Sequence, residues 1–174
     1  MPDVGIIMGS DSDLAVMKEA GDVLEQFDIG CEFAICSAHR LPVQTSEYAL
    51  SAVERGLKVI IAGAGGAAHL PGVIAAYTTI PVIGVPIKTG TLSGLDSLYS
   101  IVQMPKGIPV ATVAINGGSN AALLAVEILA VHDESLRQKL LDFRQQMAED
   151  VLKKDKELKR MGAGPYLKLR GARR

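Results

Sequence analysis

Short apolar runs recur along the first two thirds of the chain, and segments with helical spacing separate them. Several runs are apolar at every position, which is typical of strands in a parallel sheet that helices cover on both faces. The pattern predicts five strands, at Val4 to Met8, Cys31 to Cys36, Leu57 to Ala62, Pro81 to Val85 and Pro109 to Ile115.

The segments between these runs predict crossover helices of about 10 to 16 residues. The first covers about Asp13 to Phe27, and the second starts at Pro42, a favoured first-turn residue, and stops before Gly56. Asn120 to Val131 has the Ala- and Leu-rich composition of a buried helix. This alternation predicts a doubly wound parallel sheet with right-handed crossovers, in a three-layer α/β/α sandwich.

The last third of the chain predicts a long C-terminal helix over residues 133–161, with one charged face and one apolar stripe. The stripe favours a contact with another subunit, and the alternative is packing against the chain's own domain with a frayed tail. We therefore expect a single domain with an α/β core at 1–132, this helix, and a basic tail at 162–174. The stripe contains Leu136, Leu140, Met147, Val151 and Leu158, and the tail contains Lys168, Arg170, Arg173 and Arg174.

Composition narrows the possible partners. The 174 residues can bury a substantial core, and the net charge of −1 with few aromatic residues argues against nucleic-acid binding. The apolar stretches contain Gly and Pro and are too short to span a membrane, and Met1-Pro2-Asp3-Val4 lacks the features of a signal peptide. We expect a cytoplasmic protein.

Cys31 and Cys36 point to opposite faces of one predicted strand, so we expect two buried free thiols.

Polar and glycine-rich loops follow the first three predicted strands. They are Met8 to Asp13, Ser37 to Arg40, and Ala62 to His69. Because parallel strands end at one edge of a sheet, where such folds bind ligands, we expect the three loops to meet there. The sequence therefore brings two of its three histidines, His39 and His69, to the same rim.

The first loop leads into a helix, whose free N–H groups suit an anion. Ser10 and Ser12 can donate hydrogen bonds to a phosphate. Asp13 repels an anion, so its better partner is a pair of ribose hydroxyls. The alternative is that Ser12 or Asp13 only caps the helix.

The second loop places Arg40 beside His39. Arginine offers a planar fork of donors for phosphate or carboxylate, and histidine carries protons near neutral pH. The alternative is an arginine in a surface salt bridge and a histidine that donates to backbone. The position at a strand end favours the functional interpretation.

The third loop formally matches the dinucleotide pattern G-x-G-x-x-A from Gly63 to Ala68. That pattern requires an acidic residue about 20 positions on, and Val82 to Lys88 contains none. We therefore predict that the backbone of this loop approaches a small planar ligand closely, with His69 near the start of the next helix.

Other candidate residues are weaker. Lys88 could reach the rim, although a solvated lysine is the simpler interpretation, and Asn116-Gly117-Gly118 predicts a turn that could border the pocket. His132 lies between the last two helices, where we expect a structural role. No His, Cys and Asp residues have metal-ligand spacing, and neither cysteine neighbours a candidate base, so we expect no metal.

With these motifs the chain resembles the class I N5-carboxyaminoimidazole ribonucleotide mutases, which belong to the family of phosphoribosylaminoimidazole carboxylase catalytic subunits. The resemblance extends to about His132. It is carried by Met8 to Asp13, Ser37 to Arg40, Ala62 to Gly72, Leu92 to Pro105 and Asn120 to Leu124.

The resemblance implies a flavodoxin-like fold, a homo-octamer, and a mutase of purine biosynthesis that transfers a carboxylate from N5 to C4 without a cofactor. His39 falls on the catalytic position and His69 on the second active-site histidine. The ligand-binding positions correspond to Ser10, Asp13 and Arg40, with Ser37 beside them, and Gly65 and Gly66 belong to the substrate loop.

Two alternatives remain. A class II branch carboxylates aminoimidazole ribonucleotide directly with carbon dioxide, but it resembles this chain less, because it has Lys after Ser-Ala-His and Arg-Ser-Asn in the glycine loop. Arg40 and the sequence Gly65 to His69 side with class I. The other alternative is a non-catalytic flavin-binding module, which suits the Ser- and Asp-rich first loop but gives no reason for two rim histidines.

Overall fold

The computed structural model describes residues 1–171, so Arg173 and Arg174 of the predicted tail lie outside the described residues. These residues form a five-stranded parallel sheet with the strand order β2-β1-β3-β4-β5. The strands are β1 (Val4–Met8), β2 (Cys31–Ile35), β3 (Val59–Gly65), β4 (Val82–Ile87) and β5 (Ala111–Thr112).

Helices follow the strands and cover both faces of the sheet, namely α1 (Leu14–Gln26), α2 (Pro42–Leu50), α3 (Leu70–Tyr77), α4 (Leu95–Val102) and α5 (Gly118–Ala130), and a 3₁₀ turn (Asp11–Asp13) precedes α1. Further along the chain come α6 (Glu134–Met161) and α7 (Ala163–Gly171). α1 packs against α5, and α2 packs against α3. The predicted three-layer, flavodoxin-like sandwich is confirmed.

The central strands are the most buried part of the fold, since β1 and β4 are buried at every position. β1 lies between β2 and β3, with Val4 in register with Cys31 on one side and with Val59 on the other. The chain leaves β1 toward one edge of the sheet and leaves β3 toward the other. The loops after these two strands therefore diverge and open a crevice at the carboxyl edge, the topological switch point of this fold.

β3 starts two residues later and ends three residues later than predicted, because Gly63 to Gly65 continue the ladder with β4. A side chain at Gly63 would collide with the sulfur of Met17, which packs over the strand from α1. Gly63 therefore makes room for a helix side chain, and only Gly65 and Gly66 remain for the predicted ligand contact.

β5 is only two residues long, although seven were predicted. The N–H of Asn116 donates to the carbonyl of Pro86 at 2.8 Å, so the polar backbone groups of Pro86 face the β5 side of the sheet. Because proline has no N–H to donate to the β5 segment, the ladder ends there. The helices α3 and α4 are also shorter than predicted, with 8 residues each.

The chain falls into two compact units, divided between His132 and Asp133. The second unit begins with α6, whose N-cap Asp133 accepts hydrogen bonds from the backbone N–H groups of Ser135 (2.9 Å) and Leu136 (3.1 Å). The hydrogen bond from the hydroxyl of Ser135 (2.7 Å), together with these backbone bonds, holds the pKa of the Asp133 carboxyl below its ordinary value. The expected basic tail is helical over Ala163–Gly171, with Pro165 in the first turn, where the missing N–H costs nothing.

Both cysteines are free, as expected, but only Cys36 is buried, and Cys31 is half-buried. Cys36 belongs to the buried core, where its Sγ lies 3.2 Å from Oγ1 of Thr45, whereas Cys31 starts β2 at the edge of the sheet. Among residues 1–171, no helix is long and apolar enough to cross a membrane.

Candidate functional site

A cavity of about 580 Å³ opens at the carboxyl edge of the sheet. Its volume is within the range of small-molecule sites. The loops after β1, β2 and β3 line it, and so does the end of β4. Every predicted site residue lies in its wall, namely Ser10, Asp13, Ser37, His39, Arg40, Gly65, Gly66 and His69.

The two rim histidines contact each other directly. Nε2 of His39 lies 2.6 Å from Nδ1 of His69, and the ring planes meet at 77° with centroids 4.8 Å apart. At this distance one of the facing nitrogens donates and the other accepts. The pair can therefore hold a proton at one ring and pass it to the other.

Backbone hydrogen bonds hold the two segments that carry these histidines. The turn that carries His39 is closed by hydrogen bonds from the N–H groups of Arg40 (3.2 Å) and Leu41 (2.8 Å) to the carbonyl of Ser37. His69 is the N-cap residue of α3, and its carbonyl accepts the N–H of Val73 at 3.0 Å. His39 thus lies in a closed turn just before α2, and His69 lies at the start of α3.

Arg40 joins the first two loops. Its Nη2 donates to the carbonyl of Gly9 at 2.9 Å, and its Nε donates to Oγ of Ser37 at 3.3 Å. A guanidinium has five N–H donors, so three are left for a ligand. The anion-binding fork is therefore held in place by the loops and still has free donors at the cavity.

The serine and aspartate residues of the first loop bond mainly to one another. Ser10 Oγ accepts the N–H of Ser12 at 3.3 Å and so caps the 3₁₀ turn, while Ser12 Oγ donates to the carboxylate of Asp13 at 3.1 Å. Asp13 itself makes no side-chain cap bond to α1. The capping alternative thus applies to Ser10 rather than to Ser12 or Asp13.

The carboxyl group of Asp13 is buried in the cavity wall, with only 7% of the residue exposed. Burial raises its pKa above the ordinary value of 3.8, and the hydrogen bonds from Ser12 and from the backbone at Ser10 oppose this shift. A buried carboxylate that no cap bond occupies is suited to accept hydrogen bonds from a neutral polar ligand, such as a diol.

The glycine loop turns sharply after β3. Gly66 has φ +67°, and Ala68, although it has a side chain, has φ +46°. The N–H of Gly66 donates to Oγ of Ser97 at 2.9 Å, and Ser97 belongs to α4. Positive φ at two of the three residues before His69 lets the chain pass from strand to helix within a few residues.

Sequence reasoning missed Ile87, Thr89 and Ser97. Ile87 and Thr89 line the cavity at and just after the end of β4. The carboxyl ends of the strands located the other loops of the site, and the same argument applied to β4 would have found these two residues. Thr89 Oγ1 donates to the carboxylate of Asp96 at 3.0 Å.

Of the weaker candidates, Lys88 lies in the cavity wall, and its N–H donates to Oδ1 of Asn116 at 2.8 Å, whereas His132 does not line the cavity.

A metal site is not apparent at the rim. In the part of the chain that the structure describes, no three His, Cys, Asp or Glu side chains are grouped so that they could hold a metal ion. The polar groups of the cavity wall include one guanidinium, the lysine Lys88, one buried carboxylate, hydroxyls and two imidazoles, a set suited to bind a phosphorylated sugar and to move a proton.

The strand order and the cavity at the β1/β3 crevice define the class, a doubly wound α/β protein with a candidate ligand site at its topological switch point. Residues 3–150 match the family described as AIR carboxylase. The chain belongs to this family, and the resemblance found in its motifs is confirmed.

Several curated relatives match nearly the whole chain. N5-carboxyaminoimidazole ribonucleotide mutase from Thermotoga maritima is 58% identical over 96% of this chain and 98% of its own length. The protein of the same name from Pyrococcus abyssi is 61% identical over 96% of each chain. Phosphoribosylaminoimidazole carboxylase from Saccharomyces cerevisiae is 58% identical, but the matched region is only 29% of that longer protein.

A solved structure supports the same relationship. The crystal structure of PurE from Treponema denticola superposes with a TM-score of 0.81 and 27% sequence identity, covering 91% of this chain and 99% of that chain.

Proposed function

We propose that this chain is an N5-carboxyaminoimidazole ribonucleotide mutase, an isomerase that forms 4-carboxy-5-aminoimidazole ribonucleotide in purine biosynthesis. The observation that carries the proposal is the 2.6 Å contact between His39 and His69 in the same cavity as Arg40. This arrangement combines a proton carrier with an anion-binding group, and the names of the two prokaryotic relatives above agree with it.

The reaction needs one proton to move in and one to move out. When the bond from N5 to the carboxylate breaks, its electron pair stays on nitrogen, carbon dioxide leaves, and N5 takes up a proton. The ring carbon C4 then attacks carbon dioxide, and the C4 proton is lost. A single acid–base group can supply the first proton and recover the second, and such a group contributes about 10²- to 10⁴-fold in rate.

His39 has this catalytic role, and His69 is its partner. The cavity wall holds the released carbon dioxide beside C4, which raises its effective concentration and limits the access of water. In this scheme Arg40 binds the phosphate through the donors that Gly9 and Ser37 leave free. Asp13 accepts the ribose hydroxyls, while Ser10, Ser37, Gly65 and Gly66 complete the substrate contacts.

The nearest competing activity is direct carboxylation of aminoimidazole ribonucleotide. The relative from Saccharomyces cerevisiae is named as a carboxylase, but 71% of that protein, the part outside the 29% that matches, has no counterpart in this chain. The name of the longer protein therefore carries less weight than the names of relatives that match end to end.

A spectrophotometric assay with two substrates tests the proposal. Purified protein receives N5-carboxyaminoimidazole ribonucleotide in one cuvette and aminoimidazole ribonucleotide with bicarbonate in another. We expect rapid formation of the C4-carboxylated product from the first substrate alone. Turnover of the second substrate alone would identify a carboxylase, and the absence of product in both would reject catalysis in favour of a binding module.

We also propose that the protein is a homo-octamer in the cytoplasm. Large apolar side chains stay exposed on α2, where Leu50 is 60% exposed, and on α4, where Tyr99 is 63% exposed. Surfaces of this kind are typical of subunit contacts.

The cytoplasmic location follows from the substrate, because a phosphorylated nucleotide does not cross membranes unaided. Cell fractionation with a membrane-protein marker and a cytosolic marker tests it.

A further inference from the structure

The hydroxyl of Ser97 links two separate segments of the cavity wall. It donates to the carbonyl of Ile87 at 2.7 Å and accepts the N–H of Gly66 at 2.9 Å. Ile87 ends β4, and Gly66 lies in the loop after β3. Both residues line the cavity, whereas Ser97 does not. Its action on the site therefore goes through the backbone of these two neighbours.

Ser97 is also one of the few polar side chains in residues 1–171 that are fully buried, with 0% of the residue exposed. Its donor and one of its acceptor positions are both used. A hydroxyl in an apolar environment needs such partners, because an unpaired polar group there is costly. The position of Ser97 is thus adapted to hold these two backbone groups.

The glycine loop needs an outside partner at Gly66. β3 ends at Gly65, so the N–H of Gly66 has no strand partner, and its φ of +67° turns the chain out of the sheet. Within three residues the loop reaches His69, whose Nδ1 contacts His39 at 2.6 Å. Fixing Gly66 therefore limits the positions that the His69 ring can occupy.

We propose that Ser97 is a positioning residue, whose hydroxyl holds Gly66 and through it keeps His69 within hydrogen-bond distance of His39. This inference rests on the proposed mutase function. It assigns to α4 a role that the cavity lining alone does not reveal. Removal of the hydroxyl leaves the loop in place on average but lets it move, and displacements of about 1 Å at a catalytic group cost up to about 10²-fold in rate.

The test compares Ser97→Ala with Ser97→Thr, which keeps the hydroxyl, and with Ser100→Ala as the matched control. Ser100 lies one turn further along α4 and does not line the cavity. For Ser97→Ala we expect kcat to fall about 10- to 100-fold while KM changes by less than about threefold. Ser100→Ala keeps the wild-type values, and Ser97→Thr recovers at least half of the lost rate on a logarithmic scale.

Hydrogen–deuterium exchange gives a second readout that does not depend on turnover. In Ser97→Ala, peptides that cover Gly65 to His69 should exchange faster, while peptides from α1 and α5 should not change. Wild-type kcat in Ser97→Ala would overturn the proposal, and so would a loss of kcat without faster exchange in this segment. If Ser97→Thr does not fold, the other two variants still decide the outcome.

The two proposals fail in different ways. Absence of activity in the wild-type protein on both substrates rejects the mutase function. The role of Ser97 is then judged by loop exchange, which does not depend on turnover. If peptides that cover Gly65 to His69 exchange at the wild-type rate in Ser97→Ala, the positioning role is rejected independently of the reaction.

Discussion

At the scale of single residues, the contact between His39 and His69 limits how protons are arranged in the site. Because Nε2 of His39 and Nδ1 of His69 are 2.6 Å apart, only one of these facing nitrogens carries a proton while the hydrogen bond lasts. The outer nitrogen of each ring is left to exchange protons with a ligand. In the proposed mechanism, a proton taken from C4 by His39 can therefore be shared with His69 rather than with bulk water.

Replacing the proposed proton carrier tests this arrangement. His39→Asn keeps a polar side chain of similar reach but cannot act as an acid or base near neutral pH. We expect kcat to fall by at least about 10²-fold, with nucleotide affinity within about threefold of wild type. Steady-state assays and calorimetry measure the two effects. His132→Asn is the control and retains activity, and a His39→Asn enzyme with wild-type turnover would eliminate this role.

The burial of Asp13, the proposed ribose-binding residue, reduces the stability of the fold. Burial raises its pKa above 3.8, so the folded state binds a proton more readily than the unfolded state. The ionised carboxylate is therefore a cost to folding above the folded-state pKa, and this cost disappears as the pH falls toward 3.8. Asp13→Asn, which is never charged, should raise the melting temperature at pH 7 and weaken nucleotide binding.

Melting curves from pH 7 down to pH 4 measure this effect, and the gain from Asp13→Asn should shrink as the pH falls. Asp22→Asn serves as the control, because Asp22 forms an exposed ion pair with Lys18, and such pairs contribute little. A lower melting temperature of Asp13→Asn at pH 7 would show that the hydrogen bond from Ser12 outweighs the burial of the charge.

Sequence reasoning could locate most of the site residues but not Ser97. His39, Arg40 and His69 follow strands directly, so the topology of a parallel sheet alone brings them to one edge. Ser97 is in a helix, and both of its partners are backbone atoms of segments 10 and 31 residues away. Only the folded structure brings these atoms together, since no spacing in the sequence reports them.

At the scale of helices and strands, packing decides details that periodicity does not. The apolar pattern predicted β5 over Pro109 to Ile115, but only Ala111 and Thr112 pair with β4. The limiting residue is Pro86 in the neighbouring strand, which offers no N–H to the ladder. The length of an edge strand thus depends on the residues of its partner, which a reading of the strand's own sequence does not include.

The contact of α1 with β3 gives a prediction at this scale. A methyl group at Gly63 would overlap the side chain of Met17, so Gly63→Ala should destabilise the fold by about 1–3 kcal/mol. Thermal and denaturant unfolding measure the loss. Gly90→Ala is the matched control, because an added methyl group there has open space and its stability should change by less than about 0.5 kcal/mol. Equal stability of the two variants would contradict this packing argument.

At the scale of the whole molecule, the exposed apolar surfaces are on separate elements. Leu95, Tyr99 and Val102 lie at helical spacing on one face of α4, while Val43 and Leu50 are exposed on α2. An assembly that has dihedral symmetry and is larger than a dimer needs more than one kind of contact between its subunits. Apolar side chains exposed on two different helices of one protomer can supply more than one contact, as the proposed octamer needs.

Charged substitutions on these surfaces separate assembly from folding. Leu50→Asp and Tyr99→Asp change exposed positions, so each should alter the stability of an isolated chain by less than about 0.5 kcal/mol. In an octamer each would bury an unpaired carboxylate at a contact, which costs several times more. We expect light scattering to give eight times the chain mass for wild type, smaller oligomers for each single variant, and the smallest species for the double variant, with unchanged circular dichroism. Lys18→Asp, on an already charged part of α1, should remain octameric. A wild-type monomer would reject the assembly, and an intact octamer of the double variant would reject both surfaces as its contacts.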